Sequence, residues 1–389
     1  MKNSMKKKIA IVVQRYGTEV NGGSELYARL LAEHLIDDYD VEVLTTCALD
    51  YITWGNYFPE GMSYVNNVKV RRFHVDKQRD MQQFIKVNEK KMGGLITDQV
   101  WIDEQGPYCP SCIEYIEKNR DNYDVFIFVT YLYYLTVMGM GEVSNKAILV
   151  PTAHDEPYIY LEKFKKVFTS PRAIVFLTEE EKSFVHNLFM NESILSDVIG
   201  AGIDVPELDL SLEINSNLEM GNYLVYAGRI DISKNCPELF NYFIEYKKRN
   251  PSNLKLCLMG SEKISIPKHP DIISLGFVSD EDKFRYLAGA KMLVLPSQFE
   301  SLSFAVLEAM ALGVPVVVNE KAEVLKGHCK KSSAGLYYSN YFEFEGCLIF
   351  LLSHSDIYKQ MSINAKEYVR ANYRWDVVID KYKKIIEYL

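Results

Sequence analysis

Two carboxylates eight residues apart, Glu300 and Glu308, bracket a short loop with small residues at Ser301 and Ser303. The apolar run Met292 to Leu295 leads into them and reads as a buried strand, which Pro296 and Ser297 end. From about Ser303 the apolar residues Phe304, Leu307, Met310 and Ala311 recur at helical spacing. Gly313 stops that helix and Pro315 admits only a new extended segment. The unit is strand, loop, helix, strand, as in an open parallel sheet. Eight residues is a little over two helical turns, so Glu300 and Glu308 can face one cleft at different depths. The first amides of such a helix lack intrahelical partners and carry the positive end of its dipole. Amides of this kind beside carboxylates that accept from hydroxyls suit a polyol carrying phosphate, and a nucleotide sugar is such a ligand. The plainer alternative is a solvated Glu308 and two capping serines, and the local pattern leaves both open.

A second strand end carries cations. Tyr223 to Tyr226 runs into Gly228 and Arg229, and Lys234 follows at a helix start. A diphosphate leaving group gains negative charge as its sugar bond breaks, and one preorganised donor there is worth roughly 3 kcal/mol. A surface Arg and Lys is the alternative. Nearer the N-terminus the strand Lys8 to Val13 precedes Gly22-Gly23-Ser24-Glu25 and a helix bearing Leu26, Leu30, Leu31 and Leu35. That order places amides at the carboxyl end of a sheet, where anions bind. The turn has neither the GxGxxG of a dinucleotide site nor a Walker loop, and a plain glycine turn remains open. Gly200-Ala201-Gly202 begins a dinucleotide fingerprint, but Val205 stands where the third glycine belongs and Pro206 breaks any helix, which counts against a dehydrogenase. His154 follows the strand Ala147 to Val150 directly, with Asp155 and Glu156 beside it. Neighbouring acids favour the charged ring. Either His154 lines a cleft or it is a loop histidine satisfied by a carboxylate. Asp155 and Glu156 either orient the ring or cap a helix.

The run from Glu300 resembles the donor-sugar motif of retaining glycosyltransferases of the GT-B fold, family four. There a Glu-x7-Glu pair is followed by Ala-Met-Ala-x-Gly-x-Pro-Val. Here Glu300 and Glu308 precede Ala309-Met310-Ala311-Leu312-Gly313-Val314-Pro315-Val316. The resemblance extends over nearly the whole chain and is strongest from Tyr223 to Val317. It implies an α/β architecture of two Rossmann-like domains facing across a cleft. The acceptor-binding domain would be 1–206, the linker 207–220 and the nucleotide-sugar-binding domain 221–373, with a terminal helix at 374–389 returning to the first domain. By the same resemblance Gly228, Arg229 and Lys234 hold the donor diphosphate and Glu308 the ribose. Glu300, with the amides of Ser301, Leu302, Ser303 and Phe304, takes the sugar hydroxyls. The backbone of Phe277 and Val278 lies beside the base, Gly22 and Gly23 approach the donor phosphates and the acceptor, and His154 contacts the sugar beside the reacting carbon. Gly202-Ile203-Asp204 matches a turn at the end of the family's first domain. Two departures stand out. The family's Phe-Gly-Leu is Leu302-Ser303-Phe304 here, which implies a tighter donor pocket, and the glycine that follows its lysine is Asn235.

The activity implied is transfer of a hexose from a UDP- or GDP-linked sugar to an acceptor hydroxyl, with anomeric configuration retained. Attack on the same face, with the leaving phosphate taking the acceptor proton, needs no separate base, and no cofactor is expected beyond the nucleotide sugar as co-substrate. The implied partners are a nucleotide sugar and a glycan or lipid-linked acceptor of bacterial surface polysaccharide or glycoconjugate synthesis. The implied location is the cytoplasm or, peripherally, the inner face of the membrane. A GT-B nucleotide-sugar epimerase and a non-catalytic nucleotide-sugar-binding protein are the rival readings.

The rest of the chain sets bounds. Its 389 residues are too many for one ordinary core, so two domains are expected. A net charge of −8 argues against a broad nucleic-acid surface. Seven cysteines, an odd number, read as reduced thiols. Cys109 and Cys112 form a CxxC, but no second CxxC or paired His follows to complete a zinc site. The stretch after Gly106-Pro107 reads as a loop, not the helix N-terminus a redox pair wants. Ile9 to Val13 is too short for a signal-peptide core. Val125 to Gly141 carries no charge, yet its Thr130, Tyr131, Tyr133, Tyr134 and Thr136 point to a buried strand, a turn and a helix start. Asp38-Tyr39-Asp40 and Asp280-Glu281-Asp282 spell the DxD of metal-dependent transferases. The first follows a helix and Asp280 reads as a helix cap, so no metal is expected.

Overall fold

The computed structural model describes residues 6–20, 22–208 and 218–389, so 209–217 of the expected linker lie outside the described residues. The chain divides into two compact units. The first runs to Ala201 and takes in Val378–Leu389, and the second is Gly202–Val377.

The first unit comprises β1 (Lys8–Val12), α1 (Gly23–Leu35), β2 (Asp40–Thr46), β3 (Gly61–Val65), β4 (Val68–Phe73), α2 (Met81–Met92), α3 (Asp98–Gln105), α4 (Pro110–Asn119), β5 (Val125–Val129), α5 (Tyr134–Gly139), β6 (Ala147–Val150), α6 (Glu162–Thr169), β7 (Ala173–Phe176), α7 (Glu179–Phe189) and β8 (Leu195–Val198). Its sheet has the order β3-β4-β2-β1-β5-β6-β7-β8. Strands β5, β6 and β7 are buried at every position, as parallel strands covered by helices on both faces must be. Among the strands of the described residues only β3 runs antiparallel, against β4. It alternates in burial as an edge strand does, and turns through Asn66 and Asn67, both left-handed (φ 47° and 65°).

The stretch 78–116 breaks at Gly93-Gly94 and again at Gly106-Pro107, so that three helices form. This corrects the reading of the CxxC as loop. Cys109 is the N-cap of α4 and Pro110 opens the helix. Both thiols are nonetheless fully buried, which pushes Cys109 up to about 12 and Cys112 well above its ordinary value. A helix terminus cannot make a reactive thiolate against that desolvation. All seven cysteines are free.

The second unit comprises β9 (Tyr223–Ala227), α8 (Cys236–Arg249), β10 (Lys255–Met259), β11 (Ile272–Gly276), α9 (Asp280–Gly289), β12 (Met292–Leu295), α10 (Phe304–Ala311), β13 (Val316–Asn319), α11 (Glu323–Ser332), β14 (Gly335–Tyr338), α12 (Tyr341–Ser353) and α13 (Ser355–Asn372). Its parallel sheet has the order β11-β10-β9-β12-β13-β14. The strand order reverses between β9 and β12, so the loops leaving these two strands flank the topological switch point where open α/β sheets bind ligands. Asp280 does not cap α9. Ser279 does, its hydroxyl accepting from the Asp282 amide at 3.1 Å.

Helix α14 (Trp375–Tyr388) spans the boundary at 377/378. Val378, Tyr382 and Ile386, four residues apart, are fully buried. The Tyr382 hydroxyl meets that of Tyr27 at 2.6 Å, and Lys381 donates to the Val198 carbonyl at 2.7 Å. Trp375 belongs to the second unit, where its ring lies on Gly202 so closely that a Cβ there would come within 2.3 Å. Among the described residues no helix is long and apolar enough to cross a membrane.

Candidate functional site

The loop after β9 is set by its own side chains. Gly228 has φ 152°, the Tyr226 hydroxyl donates to the Arg229 carbonyl at 2.5 Å, and the Gly228 amide donates to the Met259 carbonyl at 2.9 Å. Buried Asp231 then turns the chain, accepting from the Ser233 hydroxyl and the Lys234 amide, both at 2.8 Å. Its other oxygen lies 3.7 Å from the Arg229 guanidinium. Arg229 and Lys234 are thus held at one strand end with their heads part-exposed.

The loop after β12 meets it. Lys234 donates to Glu300 at 2.6 Å, so the expected diphosphate cation and the expected sugar carboxylate are paired across the switch point. Asn235 donates to the Pro296 carbonyl at 3.2 Å and ties the two loops together. Asn235 is left-handed (φ 58°, ψ 27°), a conformation that glycine adopts freely and asparagine tolerates best among other residues. The departure from the expected glycine therefore keeps the backbone and adds a tether. Ser303 tells a similar story. It caps α10 at φ 76°, where the family has glycine, and its strain is of order 1–3 kcal/mol.

Glu308 is buried, which removes the solvated alternative. Its carboxylate accepts from Lys283 of α9 at 2.8 Å, and Lys283 also lies 3.3 Å from Asp280. Burial raises the Glu308 pKa and the Lys283 charge offsets only part of that. Burial works against the Lys283 charge too, but Glu308 and Asp280 outweigh it and raise its pKa. Lys283 and Asp231 carry no motif of their own and were not singled out from the sequence. Asp280 of the second DxD is thereby engaged by Lys283, and Asp38 of the first by Lys383 at 2.8 Å. Among the described residues no group of three or more His, Cys, Asp or Glu is placed to hold a metal ion. Phe277, just beyond β11, is exposed and Val278 half-buried.

Gly22, Gly23 and His154 lie in the first unit. A Cβ on Gly22 would stand 2.2 Å from a Glu25 oxygen, because Glu25 folds back onto Arg15 and Gln14. A side chain at Gly22 would therefore have to displace the Glu25 carboxylate, apart from any ligand. Gly23 opens α1 and has room for a Cβ. The His154 ring lies 3.5 Å from Glu156, which also accepts from the Tyr131 hydroxyl at 2.6 Å. Burial disfavours the Glu156 charge, but His154 and Tyr131 outweigh it and hold its pKa below the ordinary range. Asp155 instead accepts from Tyr160 at 2.7 Å. Of the two carboxylates, Glu156 is the one that orients the ring.

The backbone that presents His154 rests on a buried acid. Thr152 is left-handed (φ 50°), and the next amide, of Ala153, donates to Glu181 at 2.6 Å. The other Glu181 oxygen accepts from the Leu177 amide at 2.7 Å. Burial pushes the Glu181 pKa up to about 8 despite these two bonds, from an ordinary 4.5. A carboxyl raised in the fold contributes stability that is complete below the unfolded value and is lost as pH rises through the folded one. Stability should therefore fall between pH 5 and 8 with a component of up to about 1.4 kcal/mol per pH unit. Glu181→Gln should flatten that component in urea unfolding across this range. An unchanged slope would show that Glu181 is already ionised in the fold at pH 5.

Comparison with known proteins bears on this geometry. Residues 221–340 match the family model described as glycosyl transferases group 1. Over 395 residues, covering 95% of this chain and 95% of the relative, the sequence is 23% identical to an uncharacterized glycosyltransferase of Methanocaldococcus jannaschii. The sucrose-phosphate synthase of Thermosynechococcus elongatus superposes with a TM-score of 0.72 over 98% of both chains at 14% identity. Anabaena HepE, solved in complex with UDP-glucose, superposes with a TM-score of 0.69 over 98% of this chain and 100% of its own at 13% identity. At these identities the likeness to solved structures is one of fold, two parallel-sheet α/β domains of GT-B type with a C-terminal helix.

Proposed function

We infer that this chain is a glycosyltransferase of the group 1, GT-B type, and that it moves a hexose from a nucleotide-diphosphate sugar to an acceptor hydroxyl with retained configuration. The Lys234–Glu300 pair at the switch point, with Arg229 beside it, carries this reading. A donor diphosphate would take over the Lys234 ammonium and release Glu300 to accept from the sugar hydroxyls, so the ligand exchanges one anion for another. Glu308, held by Lys283, is assigned the ribose hydroxyls, and the backbone at Phe277 and Val278 the base. By the resemblance, His154 is assigned to the donor sugar, and Gly22 and Gly23 to the donor phosphates and acceptor. As the sugar–phosphate bond breaks, Arg229 and Lys234 stabilise the growing charge, a role that a metal ion fills in other transferases. The leaving phosphate accepts the acceptor proton on the same face of the sugar. The acceptor is assigned to the glycans or lipid-linked glycans of surface polysaccharide synthesis, reached from the cytoplasm or at the inner membrane face.

Thermal unfolding against UDP, GDP and their sugars, in the presence of chelator, tests the reading. The complex of HepE with UDP-glucose makes uridine the first base to try. A ligand at about a hundredfold its Kd adds about 2.7 kcal/mol. Selective stabilisation by one nucleotide under chelator is the expected result, and no response to any nucleotide would overturn the donor site. Product analysis without acceptor separates an epimerase, which would change the sugar. A binding protein would leave the donor intact with every acceptor.

A further inference from the structure

We propose that His328 is a positioning residue for the donor loop, holding the Leu302 carbonyl so that the Ser303 amide faces the sugar. The inference rests on the donor-site reading above and assigns a residue that lies outside its motifs. His328 sits on α11 and is fully buried. Its Nε2 lies 2.8 Å from the Leu302 carbonyl oxygen. A carbonyl only accepts, so Nε2 carries the proton and donates. In the neutral ring Nδ1 then accepts from the Tyr368 hydroxyl, 3.0 Å away on α13, and the Tyr373 hydroxyl stands 3.1 Å from that of Tyr368.

The consequence follows from the peptide plane. The Leu302–Ser303 bond is trans, so its carbonyl and its N–H point in opposite directions. By drawing the carbonyl toward α11, His328 aims the Ser303 N–H to the other side. Ser303 is half-buried there, while Leu302 is buried. The left-handed φ of Ser303 is a strain that persists only when its surroundings over-determine it. The buried Leu302 side chain on one side, and the first turn of α10 through the Leu307 amide bond to the Ser303 carbonyl on the other, supply part of that restraint. His328 supplies the part that sets the direction of the intervening peptide. Without it the peptide can rotate toward a relaxed conformation and the amide leaves its aim.

Three variants separate the roles. His328→Leu fills the space without the donor. His328→Gln places an amide N–H near the position of Nε2, whereas His328→Asn reaches only that of Nδ1. Hydrogen exchange of the segment 298–306 should rise at least about tenfold in the Leu variant and return toward normal in the Gln variant but not the Asn variant. Transfer turnover should fall about tenfold to a hundredfold in the Leu and Asn variants. Stabilisation by UDP or GDP should be retained, because Arg229, Lys234 and Glu308 are untouched. Should the Leu variant fail to fold, the contrast between Gln and Asn decides. Unchanged exchange across 298–306 in a folded Leu variant, or equal behaviour of Gln and Asn, would overturn the proposal. If the wild-type protein responds to no nucleotide, the donor reading fails by itself, while the exchange data still decide whether His328 holds the loop.

Discussion

Lys234→Ala should lower transfer turnover at saturating donor by about a hundredfold, close to the roughly 3 kcal/mol that one oxyanion donor supplies in a preorganised site. Two effects act in the same direction. The ammonium that would meet the diphosphate is gone, and Glu300, part-buried and paired at 2.6 Å, loses its partner and faces the incoming anion with an uncompensated charge. Lys234→Arg keeps the charge but not the point geometry, and should recover only part of the rate. The reverse change is diagnostic because its sign differs between ligands. Glu300→Gln frees Lys234 from its carboxylate, so UDP or GDP without sugar should bind as well as to the wild type or better. Transfer should nevertheless fall, since the acceptor of the sugar hydroxyls has been weakened. Near-normal turnover of Lys234→Ala at saturating donor would remove this lysine from the diphosphate site. Weaker nucleotide binding by Glu300→Gln would show that the pair serves the loop architecture and not the ligand.

Much of the second unit could be read from the sequence because the apolar runs of β9, β10, β11 and β12 each end in glycine or proline. Tyr223 to Tyr226, Met292 to Leu295 and the helix from Phe304 lie in the structure within a residue of the expected bounds. The parts that escaped share a different cause. β3 is an edge strand with a half-exposed, alternating pattern and no apolar run, and its turn is Asn66-Asn67 in place of the stronger Asn-Gly signal. The α4 start at Cys109-Pro110 was hidden behind Gly106-Pro107, which reads as a breaker although a helix opens three residues later. Three helices lie between β14 and the chain end, and His354 separates α12 from α13 with no glycine or proline to mark the break.

Within the site, residues carrying a motif were legible and their supports were not. Lys283 behind Glu308, Asp231 beneath Lys234 and Glu181 beneath the His154 loop are ordinary charged residues in sequence, and only packing from other elements gives them roles. The two family departures, Asn235 and Ser303, could be seen, but the backbone conformation they share could not. Their meaning lies in a positive φ, which sequence spacing does not encode.

Positive φ also locates a backbone position on which the Arg229 turn depends. Gly260, at the end of β10, has φ 143°, and a Cβ there would stand 1.9 Å from the Gly228 carbonyl oxygen and 2.7 Å from its carbon. The obstacle is backbone, so no side-chain rotation relieves it. The two strand ends are also bonded, the Gly228 amide to Met259 and the Gly260 amide to Gly276, at 2.9 and 2.8 Å. An alanine must push the Gly228 peptide outward, and the next residue is Arg229. Conformational strain and overpacking together put the cost of Gly260→Ala at roughly 2–6 kcal/mol. Gly276→Ala is the control. It also has a positive φ, 65°, but nothing lies within 4 Å of the added carbon, so only the strain of about 1–2 kcal/mol remains. Urea unfolding should therefore rank Gly260→Ala well below Gly276→Ala, and any folded Gly260→Ala protein should lose stabilisation by nucleoside diphosphate. Equal destabilisation of the two variants would mean that the crossing of Gly228 and Gly260 can relax, and that the Arg229 turn does not depend on it.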